Sequence, residues 1–80
     1  MPLFPEQCRA ARGLLDWTQE QLAAIAGVSR STIKDFECHR HALHRSSERL
    51  LVTAFEARGV EFLFEDTCLG VRQRRRTDIA

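Results

Sequence analysis

The chain has 80 residues, enough for one small domain whose core is marginal, so a partner subunit is expected. Its 44% hydrophobic and 29% charged residues are those of a globular chain in water, and no stretch approaches a membrane span. The formal net charge of +1 argues against bulk attraction to a polyanion, so the distribution of charge matters more than its sum.

The opening MPLFPEQ has no basic region and no apolar run of signal length, which predicts a cytoplasmic protein. Pro5 suits the first turn of a helix, and Glu6 lies favourably near its positive end. Cys8, Ala11 and Leu15 share one face, Arg9 lies off it, and Trp17 closes the corner to the next helix. Thr18 begins a second helix, with Gln21 completing a capping-box pair. Leu22, Ile25 and Ala26 are expected to face inward. Gly27 stands where a left-handed helix stop costs least. Ser29 caps a third helix whose buried seam is Ile33 and Phe36, leaving Arg30, Ser31, Lys34 and Asp35 outside.

Gln19, Leu22-Ala23, Ala26-Gly27-Val28, Ile33 and Phe36 together resemble the helix-turn-helix of the lambda-repressor/Cro class, the XRE family. The resemblance covers roughly residues 5 to 58. It implies a compact, mainly α domain of four or five helices that reads double-stranded DNA. The second helix of the motif, over residues 29–38, would enter the major groove. Arg30, Ser31, Lys34 and Asp35 would then read bases. Arg30 or Lys34 could bind guanine O6 and N7, while Asp35 would accept a cytosine amino proton or orient Arg30. Gln19 and Thr32 would hold phosphates. The family also pairs an arginine seven residues before that glutamine with a glutamate near the end of the reading helix. Here the resemblance implies a structural salt bridge between Arg12 and Glu37.

The following HRHALHRSS lacks the Gly and Pro usual in this loop. Cys38, His39, His41 and His44 raise the idea of a metal site, but no second paired cluster accompanies them, so no metal or other cofactor is expected. Arg40, His41, His44 and Arg45 read better as a phosphate-facing loop. Cys8, Cys38 and Cys68 are too few and too far apart for a disulfide framework. Ser46 or Ser47 caps a further helix, with Glu48 in its first turn and Leu50, Leu51, Ala54 and Phe55 as its core stripe. Arg58-Gly59 ends it.

The period then changes to two. Val60, Phe62 and Phe64 alternate with Glu61, Leu63 and Glu65. Asp66 to Gly70 should turn, with Gly70 free to take positive φ, and Val71 to Arg74 should return as a strand. The chain therefore divides into a DNA-binding unit at 1–59, a β-hairpin or strand pair at 60–74, and a disordered tail at 75–80. The positive charge collects at residues 29–49, net +2, and 67–80, net +3, against −1 over 1–28 and −3 over 50–66. Val60, Phe62, Leu63 and Phe64 are expected at a homodimer interface, because a strand edge needs a partner. On this pattern, deleting residues 60–80 would leave the helices standing.

No nucleophile motif and no Gly-rich phosphate loop appears, so an enzyme is not expected. The expected function is a dimeric repressor on a palindromic operator. The alternative is the antitoxin of a toxin–antitoxin pair, with a toxin or other protein as second partner. A metal-responsive sensor is a third reading.

Overall fold

The computed structural model describes residues 2–65 and 68–74. Four helices precede one hairpin: α1 at Pro5–Leu15, α2 at Gln19–Ala26, α3 at Arg30–Glu37, α4 at Arg45–Glu56, β1 at Val60–Phe64 and β2 at Leu69–Gln73. Of the four or five helices expected, four form among the described residues. The expected tail at 75–80 lies outside the described residues.

Each helix end has a chemical cause. Pro5 opens α1, and the Gln7 side-chain oxygen accepts the Phe4 N–H at 3.2 Å. Asp16, at φ 57°, closes it in the left-handed region. Thr18 caps α2: its Oγ1 accepts the Gln21 N–H, and Gln21 Oε1 accepts the Thr18 N–H, at 3.0 and 2.8 Å. Gly27 ends α2 at φ 75°, a value that glycine takes without a Cβ clash. Ser29 Oγ then accepts the Thr32 N–H at 3.2 Å and starts α3 three residues after α2 stops.

α4 begins earlier than the serines suggested. His44 is its N-cap residue and makes no side-chain cap bond, so Ser46 and Ser47 fall inside the first turn. Glu48 is engaged elsewhere: its Oε2 accepts the Leu3 N–H at 3.1 Å, which ties the N-terminal segment to α4. Leu3 is thereby a core residue that no periodicity marked.

The core is Leu3, Cys8, Ala11, Leu22, Ala26, Val28, Ile33, Phe36, Leu51, Ala54, Phe55 and Val60. Two residues expected there are outside it, since Ile25 and Leu50 are each 46% exposed. An aromatic run crosses the core. Trp17 stacks on Phe55 at 5.8 Å between centroids, and Phe55 meets the edge of Phe62 at 5.8 Å. The Arg58 guanidinium lies 5.7 Å from the Trp17 ring centroid.

The hairpin is antiparallel, with Val60 opposite Gln73, Phe62 opposite Val71 and Phe64 opposite Leu69. Hydrogen bonds extend the ladder at both ends, from Arg74 N–H to Gly59 O at the base and between Glu65 and Cys68 at the tip. Gly70 therefore sits inside β2, and the return strand starts at Leu69 rather than Val71. It takes no positive φ; the left-handed glycines are Gly27 and Gly59. Leu63 lies over Gly70 instead, about 3.5 Å from where a Cβ would stand. α1 runs beneath the hairpin. Its buried Gln7 donates from Nε2 to Leu63 O at 3.3 Å and to Gly70 O at 3.1 Å.

Candidate nucleic-acid interface

α3 is held by one buried carboxylate. Glu37 ends α3 with only 2% of its side chain exposed. Arg12 meets it with two bonds, Nε to Oε2 at 2.8 Å and Nη2 to Oε1 at 2.7 Å. The third guanidinium nitrogen donates to Trp17 O at 3.0 Å. The Cys8 thiol donates to Glu37 Oε2 at 3.0 Å and the Gln19 amide to Oε1 at 2.9 Å. One carboxylate thus joins α1, α2 and α3. No buried side-chain nitrogen or oxygen lacks a partner among the described residues.

Burial pushes the Glu37 carboxyl up, but the bonds from Arg12, Cys8 and Gln19 outweigh it and hold the carboxyl below its ordinary value. The Cys8 thiol is pushed far above the usual thiol range, first by burial and then by the bond to Glu37. It stays a neutral donor. Bonding to Glu37 likewise raises the Arg12 guanidinium.

Two further contacts grip the end of α3. The exposed Arg9 donates from Nη1 to the Glu37 main-chain oxygen at 2.8 Å, so it serves the helix terminus. His39, just past the end, takes φ 61° and places Nε2 3.1 Å from Glu6 Oε2. Neither role had a periodic signal. Arg9 and Arg12 lie one turn apart on α1, which in hindsight marks a face turned toward α3.

With Ile33, Phe36 and Glu37 buried, the opposite face of α3 is left to solvent. Arg30, Ser31 and Lys34 are exposed there and Asp35 is half-buried. Arg30 Nε lies 3.8 Å from Glu20 Oε1, an exposed pair across the corner. The half-buried Thr32 has its Oγ1 2.7 Å from Ser29 Oγ. Arg40, His41, His44 and Arg45 are all exposed, between the end of α3 and the start of α4. Among the described residues, no group of three or more His, Cys, Asp or Glu side chains is placed to hold a metal ion. Gln19, expected on phosphate, has its side-chain amide turned onto Glu37.

A tight three-residue corner between capped eight-residue helices, with the second helix presenting an exposed polar stripe, is the geometry of a groove-reading motif. The family model described as Helix-turn-helix matches residues 9–37. Residues 9–37 are a helix-turn-helix of the lambda-repressor/Cro class. No curated protein matches the chain.

That motif is a DNA-binding regulatory one, and its family is not one of enzymes. No described helix is long and apolar enough to cross a membrane. Of the hairpin residues expected to face a second copy, Val60 is only 1% exposed and belongs to the protomer's own core. Phe62 packs on Phe55, while Leu63 is half-buried and Phe64 is exposed.

Proposed function

We propose that the protein is a dimeric repressor that occupies a palindromic operator, one helix-turn-helix per half-site. The observation that carries this reading is the exposed stripe of Arg30, Ser31 and Lys34, with Asp35 at its margin, on a helix pinned by Glu37. These four residues read base edges, with Arg30 or Lys34 on guanine. Thr32, Arg40, His41, His44 and Arg45 take phosphates. Gln19 takes one through its main-chain N–H at the start of α2, since its side-chain amide is committed to Glu37.

The second copy docks on the hairpin through Leu63, Phe64 and the strand edge. Phe64 supports this, being exposed and set 6.3 Å from the equally exposed Phe4, with Leu69 opposite it on β2. The same apolar patch favours a second reading, in which it takes up a toxin and the protein is an antitoxin. Sedimentation of the purified chain alone separates the two. A monomer converted to a complex only by a second protein supports the antitoxin.

DNA binding is tested by separating reading from positioning. Arg30→Ala costs about 1–3 kcal/mol on the cognate site and relaxes preference at one base pair. Arg45→Ala weakens all sequences alike and reduces the salt slope by about 1. Equal losses on cognate and random DNA for Arg30→Ala would overturn the base-reading assignment.

A further inference from the structure

The loop that follows α3 has an unusual anchor. His39 adopts φ 61°, a region that a side chain with a Cβ enters at a cost and glycine enters freely. The strain is accompanied by one specific contact, from His39 Nε2 to Glu6 Oε2 at 3.1 Å, across to the first turn of α1. One turn further along α1, Arg9 binds the last carbonyl of α3. Glu6 and Arg9 together therefore grip the point where the reading helix ends and the loop begins. Glu6 faces the imidazole from α1, and His39 lines a shallow cleft with Arg40, His41, Pro5 and Phe36.

We propose that His39 is a positioning residue for DNA binding: tied to Glu6, it sets the path of the loop that carries Arg40, His41 and His44 to the phosphates. This rests on the reading of that loop as phosphate-facing. The pair is exposed on both sides, 57% for His39 and 53% for Glu6, so it adds little to folding. Its effect lies in the placement of three side chains that bind a polyanion. The contact sets an imidazole nitrogen against a carboxylate oxygen and fixes where the loop leaves α3.

The test uses the full chain and double-stranded DNA carrying its selected site, with His39→Gly, Glu6→Gln, the double variant and Arg45→Ala. His39→Gly relieves the left-handed strain, so its melting temperature is unchanged or higher, while affinity falls about two- to fivefold per half-site. A residue with only a structural role does not move stability and affinity in opposite directions. Glu6→Gln lowers affinity alone and has no further effect in the His39→Gly background. Equal losses from Glu6→Gln in both backgrounds, or wild-type affinity in His39→Gly, overturn the positioning role. Arg45→Ala distinguishes the two levels. If it leaves the salt slope unchanged, the phosphate-facing loop itself is wrong. If it lowers the slope while the His39 and Glu6 variants bind normally, only the positioning role is lost.

Discussion

Glu37 concentrates more of the fold than any other side chain. Removing Arg12 would leave a buried carboxylate with only the Cys8 and Gln19 donors. Arg12→Ala should cost about 3–5 kcal/mol, the usual penalty for stranding a buried charge. A domain of this size shifts by about 4–8 °C per kcal/mol, so the melting temperature should fall by about 12 °C or more. The double substitution with Glu37→Ala should cost less than the two singles added together, which thermal denaturation of the four proteins checks. The same carboxylate sets the response to acid. Its folded pKa lies below the ordinary value of 4.5, so its stabilisation is complete above that pH and is lost as pH falls through the folded value. Melting temperatures measured from pH 7 down to about 2.5 should therefore drop below pH 4.5, and Glu37→Gln should lessen the drop. Cys8 is fully buried and Cys38 exposed, so native protein should be alkylated at Cys38 and protected at Cys8 until it unfolds. Arg12 and Glu37 were legible because the family resemblance implies the pair, one seven residues before Gln19 and the other near the end of α3. Cys8, by contrast, reads as one more apolar residue on α1. Its bond to Glu37 spans 29 residues of sequence, beyond the reach of any local pattern.

At the scale of elements, caps and corners were the most legible features and faces the least. Thr18, Gly27 and Ser29 act through neighbours three or four residues away, so their chemistry is visible in the sequence. Ile25 and Leu50 were misplaced because an apolar residue beside a core stripe satisfies helical spacing on either side. Leu22, Ala23 and Ala26 define the buried arc of α2, and at about 100° per residue Ile25 falls roughly 100° from its centre. Ile25→Lys and Leu50→Lys should consequently change stability by less than about 0.5 kcal/mol, read by thermal melting. Gly27→Ala should cost about 1–2 kcal/mol even though space for the methyl group is open, because φ is 75° there. Gly70 misled in the opposite sense. Read as a turn residue, it serves β2 by giving Leu63 room and by offering its carbonyl to Gln7.

For the whole molecule, the hairpin is no appendage. Val60 fills the helical core, Phe62 packs on Phe55, and both acceptors of the buried Gln7 amide lie on the strands. Deleting residues 60–80 should therefore lower helical circular dichroism as well as any self-association, contrary to the expectation from the sequence pattern alone. Surface substitutions are the better probe of the proposed dimer. Phe64→Glu should keep the helical signal and sediment as a monomer. A dimer that persists with Phe64→Glu would move the interface off the hairpin tip. The protomer measures 38 × 32 × 20 Å, so two copies around a two-fold axis can set their reading helices one DNA turn, about 34–36 Å, apart. The Gln7 bonds also bear on the order of events during synthesis. Their acceptors lie 56 and 63 residues downstream, whereas every side-chain bond to Glu37 is within 29 residues. At about 5–20 residues per second, the three helices around Glu37 leave the ribosome seconds before β2 does. For that interval the residues that meet around Glu37 are already outside, while the strands that will cover one flank of α1 and bind the Gln7 amide are not.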